Sequence, residues 1–164
     1  MMRFDVFSLF PEVFDSYLNV SILKRAIRGG YLDVYLHDIR AWTRDRHHVC
    51  DDTPYGGGGG MVMKPEPIFT SVEDVLGSSP NCPVVLMTPQ GRKFTQEVAQ
   101  EFSKYDQVAI LCGRYEGVDE RVRKHLVTDE ISIGDYVLTG GELPALILMD
   151  SIIRTVPGVL GDPK

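Results

Sequence analysis

Three glycine-bearing stretches have the residue types expected of ligand-binding loops. They are 86–91, 111–117 and 132–142, and each begins at the end of a segment that predicts a strand. Glycine lets the backbone approach a ligand closely and adopt positive φ, and free N–H and C=O groups in such loops can bind a purine edge or a carboxylate. One such stretch could simply form a turn between elements, but three of them at successive strand ends favour a ligand site.

Sequence signatures narrow the kind of ligand. The chain has no G-x-G-x-x-G after a strand and no G-x-x-x-x-G-K-[ST], so the common phosphate-binding loops are missing. The glycine run 56–60 follows a loop and does not start an obvious helix, which weakens a nucleoside-triphosphate interpretation. No Ser-His-Asp or Cys-His arrangement indicates acyl transfer. The residues alone indicate an α/β domain that binds a small cofactor through loop backbone.

The cysteines and histidines give weaker signals. His47, His48 and Cys50 suggest a metal site, but their spacing matches no standard zinc pattern, and a polar loop is the simpler interpretation. The three cysteines (Cys50, Cys82 and Cys112) are odd in number and well separated, which argues against a disulfide framework. We therefore expect no metal at His47, His48 and Cys50.

Length and composition suit one globular domain. The chain has 164 residues, 43% hydrophobic and 24% charged. No apolar run approaches the ~20 residues of a membrane span, and the N-terminus lacks the pattern of a secretory signal, so we expect a cytoplasmic protein without membrane contact. The net charge of −6 argues against nucleic-acid binding. Basic residues nevertheless outnumber acidic residues between 21 and 48. Two interpretations of this segment stay open: a local basic face, or a helix face that is merely exposed to solvent.

The elements that must position the glycine-bearing stretches alternate between strands and helices. Apolar patterns and helix-capping residues predict strands at 3–9, 31–37, 83–87, 107–112 and 130–133, and helices at 11–17, 22–28, 68–76, 95–104, 118–126 and 142–154. This alternation implies a mainly parallel sheet covered by helices on both faces. Ligands of such sheets bind beyond the carboxyl ends of the strands. The polar segment 38–67 is predicted as a long loop, and 155–164 as an exit linker.

Three segments together resemble signature segments of the bacterial tRNA (guanine-N1) methyltransferases, the TrmD family. They are 55–63 (YGGGGGMVM), 112–121 (CGRYEGVDER) and 131–145 (ISIGDYVLTGGELPA), and a fourth segment, 154–161 (RTVPGVLG), resembles the family's exit segment. The resemblance implies the SPOUT methyltransferase fold with a C-terminal trefoil knot, and a homodimer. It also implies a cofactor-binding domain over 1–160 and the start of an interdomain linker at 161–164, with a C-terminal tRNA-binding domain absent.

The cofactor implied by the resemblance is S-adenosylmethionine, bent inside the knot, and the substrate is the guanosine just 3′ of the anticodon of certain tRNAs, methylated at N1. The residues expected to bind the cofactor occupy the three glycine-bearing stretches and the following helix start. They are Leu86, Met87, Pro89, Gly113, Tyr115, Ile133, Gly134, Asp135, Tyr136, Val137, Leu138, Gly140, Gly141 and Pro144.

The resemblance also implies roles in the reaction. Arg154 matches an arginine that stabilises the charge developing at guanine O6; without the resemblance it would be a helix C-terminal cation facing the dipole. Glu116 resembles a residue tied to methyl transfer and to Mg²⁺, and Gly59 matches a loop position that contacts the target base. The family's general base is an aspartate beyond residue 164, so we expect this chain alone to be weakly active or inactive.

Two other classes of function stay open at this stage. One is a binding module that holds a nucleotide-like ligand and catalyses nothing. The other is an α/β enzyme that uses a nicotinamide cofactor. Binding of S-adenosylmethionine without binding of NAD separates the methyltransferase from both.

Overall fold

A five-stranded parallel sheet forms the centre of the protein. In this computed structural model, which describes residues 1–43, 51–52, 62–114 and 117–161, the strand order is β2-β1-β6-β5-β7, and each neighbouring pair is parallel. A short antiparallel ribbon, β3-β4, lies apart from it. The strands are β1 (Met2–Ser8), β2 (Leu32–Asp38), β3 (Asp51–Asp52), β4 (Val62–Met63), β5 (Val84–Lys93), β6 (Gln107–Cys112) and β7 (Asp129–Ser132).

Helices cover both faces of this sheet, which confirms the α/β class. They are α1 (Asp15–Leu18), α2 (Ser21–Arg28), α3 (Pro65–Leu76), α4 (Gln96–Phe102), α5 (Glu120–His125) and α6 (Glu142–Ile153), with 3₁₀ turns at Pro11–Phe14 and Ile39–Trp42. One core cluster joins one face of the sheet to α1, α2, α4 and α6, and a second joins the other face to α3 and α5. No helix in the described ranges is long and apolar enough to cross a membrane.

Side-chain caps begin two of the described α-helices, α4 and α5. The Thr95 hydroxyl accepts a hydrogen bond from the Val98 N–H and caps α4, and the Asp119 carboxylate does the same for α5 through the Arg121 N–H. Serine is a preferred N-cap residue, so Ser21 is expected to cap α2, but it does not. Ser21 is the first helical residue, with φ of +54°, and Val20 holds the cap position without a side-chain bond.

Strand β5 is longer than predicted because of a bulge. The strand was expected to end at Met87, but β5 continues to Lys93. Met87 and Arg92 both face Ile131 of β7, so residues 88–91 leave the ladder between them. The bulge places part of the first glycine-bearing stretch outside the sheet while β5 and β7 stay paired on either side.

The segment 38–67 contains more regular structure than the predicted loop. Its described parts include the turn at Ile39–Trp42, the β3-β4 ribbon and the first residues of α3, where Pro65 occupies the first turn. At the other end of the chain, Val156 and Val159 pack against the core cluster of α6.

Candidate functional site

A cavity of about 460 Å³ opens at the carboxyl ends of β5, β6 and β7. The three glycine-bearing stretches form its walls, as the position of ligand sites in parallel sheets predicts. The structure brings together twelve of the residues expected to bind a cofactor. These are Leu86, Met87, Pro89, Gly113, Ile133, Gly134, Tyr136, Val137, Leu138, Gly140, Gly141 and Pro144.

Other residues from the sequence analysis do not line this cavity or cannot be placed. The Asp135 side chain is 89% exposed and forms an ion pair with Lys93, 3.2 Å away. Arg154 is exposed at the C-terminal end of α6 and is not among the lining residues. Tyr115, Glu116 and Gly59 lie outside the described residues, as does the possible metal group of His47, His48 and Cys50.

The cavity also has walls that the sequence analysis did not name. Most of these residues lie inside or beside the three stretches, so their position in the sequence could have identified them as cavity residues. Arg123 differs, because it reaches the cavity from α5, a helix predicted only from its apolar pattern. The additional lining residues are Thr88, Gln90, Arg114, Gly117, Val118, Arg123, Ile131, Ser132 and Thr139.

Backbone contacts join the second and third stretches beside the cavity. Arg114 and Gly140 form an isolated antiparallel bridge, and the Gly141 N–H donates to the Gly113 carbonyl at 2.9 Å. A Cβ atom on Gly141 would lie 2.9 Å from the Cys112 Cα, closer than side chains approach backbone. Glycine is required at 141 because the two backbones touch there.

A buried carboxylate reinforces this junction. Glu142, the first residue of α6, is 2% exposed. Its Oε1 accepts from Arg114 Nε at 2.7 Å, and its Oε2 accepts from the Ser8 hydroxyl at 3.1 Å. The Arg114 guanidinium lies over the Phe10 ring, 4.4 Å from the centroid. Burial, followed by the nearby Glu142 charge, raises the pKa of the Cys112 thiol well above its usual value, so the thiol stays protonated at neutral pH.

Among the described residues, two with charged side chains line the cavity, both arginines, and each pairs with a glutamate. Arg114 pairs with Glu142, and Arg123 Nε lies 2.8 Å from Glu130 Oε1. The remaining described walls are apolar side chains, hydroxyl and amide groups, and glycine backbone. The described residues contain no cluster of three or more His, Cys, Asp or Glu side chains that could hold a metal. The apolar, hydroxyl and backbone groups of these walls suit the nucleoside part of a ligand.

The segment that follows the glycine run is tied to the second stretch. The Met63 N–H donates to the Gly117 carbonyl at 2.9 Å, and the Asp119 N–H donates to the Met63 carbonyl at 3.4 Å. Met63 is buried among residues of the second core cluster. The described end of this segment is therefore fixed at residues 117–119, next to the cavity wall.

Fold and cavity together define an α/β domain with a cavity of small-ligand size at the carboxyl edge of a parallel sheet. Comparison with known proteins makes the assignment specific. The family described as "tRNA (Guanine-1)-methyltransferase TrmD" matches residues 2–164. The chain belongs to this family, which confirms the resemblance seen in the sequence.

Individual relatives agree with the family match. A tRNA (guanine-N(1)-)-methyltransferase of Dehalococcoides mccartyi strain BAV1 is 55% identical over 161 residues, which are 98% of this chain and 65% of the relative. The protein of the same name from Moorella thermoacetica is 55% identical over 165 residues, 99% of this chain and 66% of the relative. This chain thus spans 65–66% of the length of these curated relatives.

A solved structure shows the same fold. The crystal structure of the tRNA (m1G37) methyltransferase from Aquifex aeolicus superposes with a TM-score of 0.86 at 43% sequence identity. The match covers 99% of this chain and 73% of that one. The SPOUT methyltransferase fold implied by the resemblance is therefore confirmed for the sheet and its helices, while the trefoil knot stays a prediction.

Proposed function

We propose that the protein transfers a methyl group from S-adenosylmethionine to N1 of the guanosine on the 3′ side of a tRNA anticodon. The observation that carries this proposal is the cavity, because two of the segments that resemble the family, 112–121 and 131–145, supply most of its lining residues. The names of the relatives support the same activity. We further propose that residues 1–160 act as the cofactor-binding domain of a cytoplasmic enzyme.

The cavity residues fit this cofactor. Its volume of about 460 Å³ falls within the 300–1,000 Å³ range typical of small-ligand pockets. Leu86, Ile133 and Leu138 offer apolar contacts for a purine ring, and Gly113 and Gly140 let backbone approach it. S-adenosylmethionine supplies a methyl group activated by its sulfonium. We assign its binding to the twelve cavity residues named above, and Tyr115 stays a proposed ligand from the resemblance.

The protein must also activate the guanine, whose N1 carries a proton. A general base has to remove that proton, and a cation near O6 stabilises the charge that develops. We assign the cation to Arg154, whose side chain is exposed and makes no hydrogen bond or ion pair within the described part of the chain. The resemblance assigns the removal of this proton to an aspartate. Glu116, with Mg²⁺, and Gly59, at the target base, keep the roles that the resemblance implies.

Two partners belong to the proposal. The first is tRNA, for which α2 offers the basic residues Lys24, Arg25 and Arg28 on its partly or fully exposed side. The second is another copy of this chain, because the resemblance implies a homodimer and α6 carries apolar residues on its exposed side. Neither partner requires a membrane.

Calorimetry on the purified chain tests the cofactor assignment. We expect S-adenosylmethionine to bind at one site per chain and NAD not to bind. Thermal unfolding provides an independent check, because a ligand at a hundredfold excess over its Kd should stabilise the folded state by about 2.7 kcal/mol. Binding of NAD without binding of S-adenosylmethionine would refute the proposal. Cofactor binding without methylation of tRNA by the full-length protein would support a non-catalytic module instead.

The role of Arg154 gives a second test. Arg154→Ala should lower the rate of tRNA methylation about 100-fold, since removal of a charge-stabilising donor typically costs that much. The Kd for S-adenosylmethionine should change less than about twofold, because Arg154 does not line the cavity. Single-turnover methylation and calorimetry measure the two quantities. A large loss of cofactor affinity with an unchanged methylation rate would refute this role.

A further inference from the structure

The Glu142 carboxylate is a buried charged group near the cavity, and the proposed function assigns it no role. It is buried at the start of α6, and it does not line the cavity itself. A buried carboxylate is costly to keep unless it is paired and hydrogen-bonded. Both of its oxygens have partners, since Oε1 faces Arg114 and Oε2 faces the Ser8 hydroxyl.

Arg114 connects this carboxylate to the cavity. Its Nε and Nη2 both lie 2.7 Å from Glu142 Oε1, so two of its donors are directed at one oxygen. Its side chain is 24% exposed, lines the cavity and rests on the Phe10 ring. Two other parts of the chain therefore hold this guanidinium: Phe10, which follows β1, and Glu142 at the start of α6.

The same ion pair fixes the junction of the two glycine-bearing stretches. Arg114 bridges Gly140 through its backbone, while its side chain reaches past Gly140 to Glu142. A Cβ atom on Gly140 would lie 2.4 Å from Arg114 Nε and 2.7 Å from Glu142 Oε1. The ion pair thus packs directly against the Gly140 backbone, which is a cavity wall.

We propose that Glu142 is a positioning residue for the methyl transfer proposed above: through Arg114 it holds the Gly113 and Gly140–Gly141 walls at the spacing that binds the cofactor. The inference rests on the proposed function, because the cofactor is the ligand whose binding it controls. Glu142 touches no substrate in this role. Loss of the Glu142 carboxylate therefore changes cofactor affinity through Arg114. The Ser8 hydroxyl keeps the Glu142 carboxylate oriented toward the Arg114 guanidinium.

The test compares Glu142→Gln with Asp5→Asn in the same chain. The glutamine keeps the shape of the side chain and a possible contact with Ser8 but removes the charge that holds Arg114. Asp5 is a matched control, because it too is a fully buried carboxylate with several partners, and it is not a cavity residue. Both variants should lower the melting temperature without ligand. We expect only Glu142→Gln to raise the Kd for S-adenosylmethionine, by about tenfold or more.

A double-mutant cycle with Arg114→Met tests whether the effect passes through Arg114. Arg114→Met alone should weaken cofactor binding by a similar factor, and adding Glu142→Gln should change the Kd less than about twofold further. Additive losses would overturn the proposed route. If Glu142→Gln does not fold, Arg114→Met decides the question, and wild-type affinity in that variant would overturn the proposal.

The outcomes separate this inference from the proposed function. If the unchanged chain does not bind S-adenosylmethionine, the proposed function fails. If the unchanged chain binds the cofactor and Glu142→Gln binds it equally well, the positioning role fails while the proposed function stands. A Kd that rises equally in Asp5→Asn and Glu142→Gln would show a general effect of lost stability and would also overturn the positioning role.

Discussion

Asp5 is a fully buried carboxylate in the middle of β1, with partners on both neighbouring strands. Burial by itself would raise the pKa of this carboxyl, but hydrogen bonds from His37, Arg3 and Gln107 outweigh it and lower the pKa to about 2. The His37 Nε2 and Gln107 Nε2 atoms lie 2.8 Å and 2.7 Å from its oxygens. The ionised carboxylate therefore joins β2, β1 and β6 at one point.

Acid should remove this stabilisation. Because the pKa of Asp5 falls from 3.8 to about 2 on folding, its contribution is complete above pH 4 and disappears as the pH falls through 2. The shift corresponds to about 2 kcal/mol. We expect the difference in unfolding free energy between wild type and Asp5→Asn to shrink by about that amount from pH 6 to pH 2, measured by urea unfolding.

Asp106→Asn provides the control for this titration, because Asp106 is exposed beside Gln107. Its difference from wild type should stay within about 0.5 kcal/mol over the same range. A wild-type-to-Asp5→Asn difference that is constant from pH 6 to pH 2 would contradict the lowered pKa.

Among the elements, β5 has the most direct effect on the site. Its bulge at 88–91 moves Thr88, Pro89 and Gln90 into a cavity wall. Gly91 returns the chain to the sheet, where a Cβ atom would lie 2.4 Å from the Glu130 carbonyl carbon and the Ile131 nitrogen. A glycine is therefore needed where β5 and β7 close up after the bulge.

Gly91→Ala should destabilise the fold through this contact. The added methyl meets backbone that cannot rotate away, so we expect a loss of about 1–3 kcal/mol in unfolding free energy. Gly113→Ala is the matched control, because its Cβ atom would approach no heavy atom closer than 3.8 Å. Its loss should stay below about 1 kcal/mol. Equal unfolding midpoints and slopes for wild type and Gly91→Ala in urea would refute the close approach.

Sequence patterns predicted the elements whose signals are local. The strand Gln107–Cys112 was predicted with its observed bounds, since it is a short apolar run between turns. The path of β5 beyond Met87 could not be predicted in this way. Its last residues pair with Ile131 and Ser132, far along the chain, while Pro89 and Gly91 interrupt the apolar pattern.

The same distinction applies to the cavity. Its glycine-bearing walls could be predicted, because they follow strand ends that the sequence indicates. The ion pair between Arg114 and Glu142 joins residues 28 positions apart. In the sequence, Glu142 stands at the end of the third stretch and at the start of a predicted helix, and neither position indicates Arg114 as its partner. The network behind the cavity walls depends on how the second and third stretches meet, which no local pattern specifies.

At the scale of the whole molecule, α6 has apolar residues both on the side that packs into the core and on a side that this domain leaves exposed. Most of the helix packs into the core, but Leu143 and Ile147, one turn apart, are 58% and 43% exposed. Arg154 lies about two turns beyond Ile147 and falls on the same side of the helix. An apolar pair beside the proposed catalytic arginine fits the homodimer implied by the family resemblance.

This interface can be tested by placing a charge on it. Ile147→Glu should convert the proposed dimer to a monomer, because an unpaired carboxylate would be buried between the two copies, and sedimentation velocity measures the change. Tyr105→Glu is the control: Tyr105 is 48% exposed and lies on the turn after α4, so this variant should remain dimeric. A dimer that persists in Ile147→Glu, or an unchanged chain that sediments as a monomer, would contradict an interface built on α6.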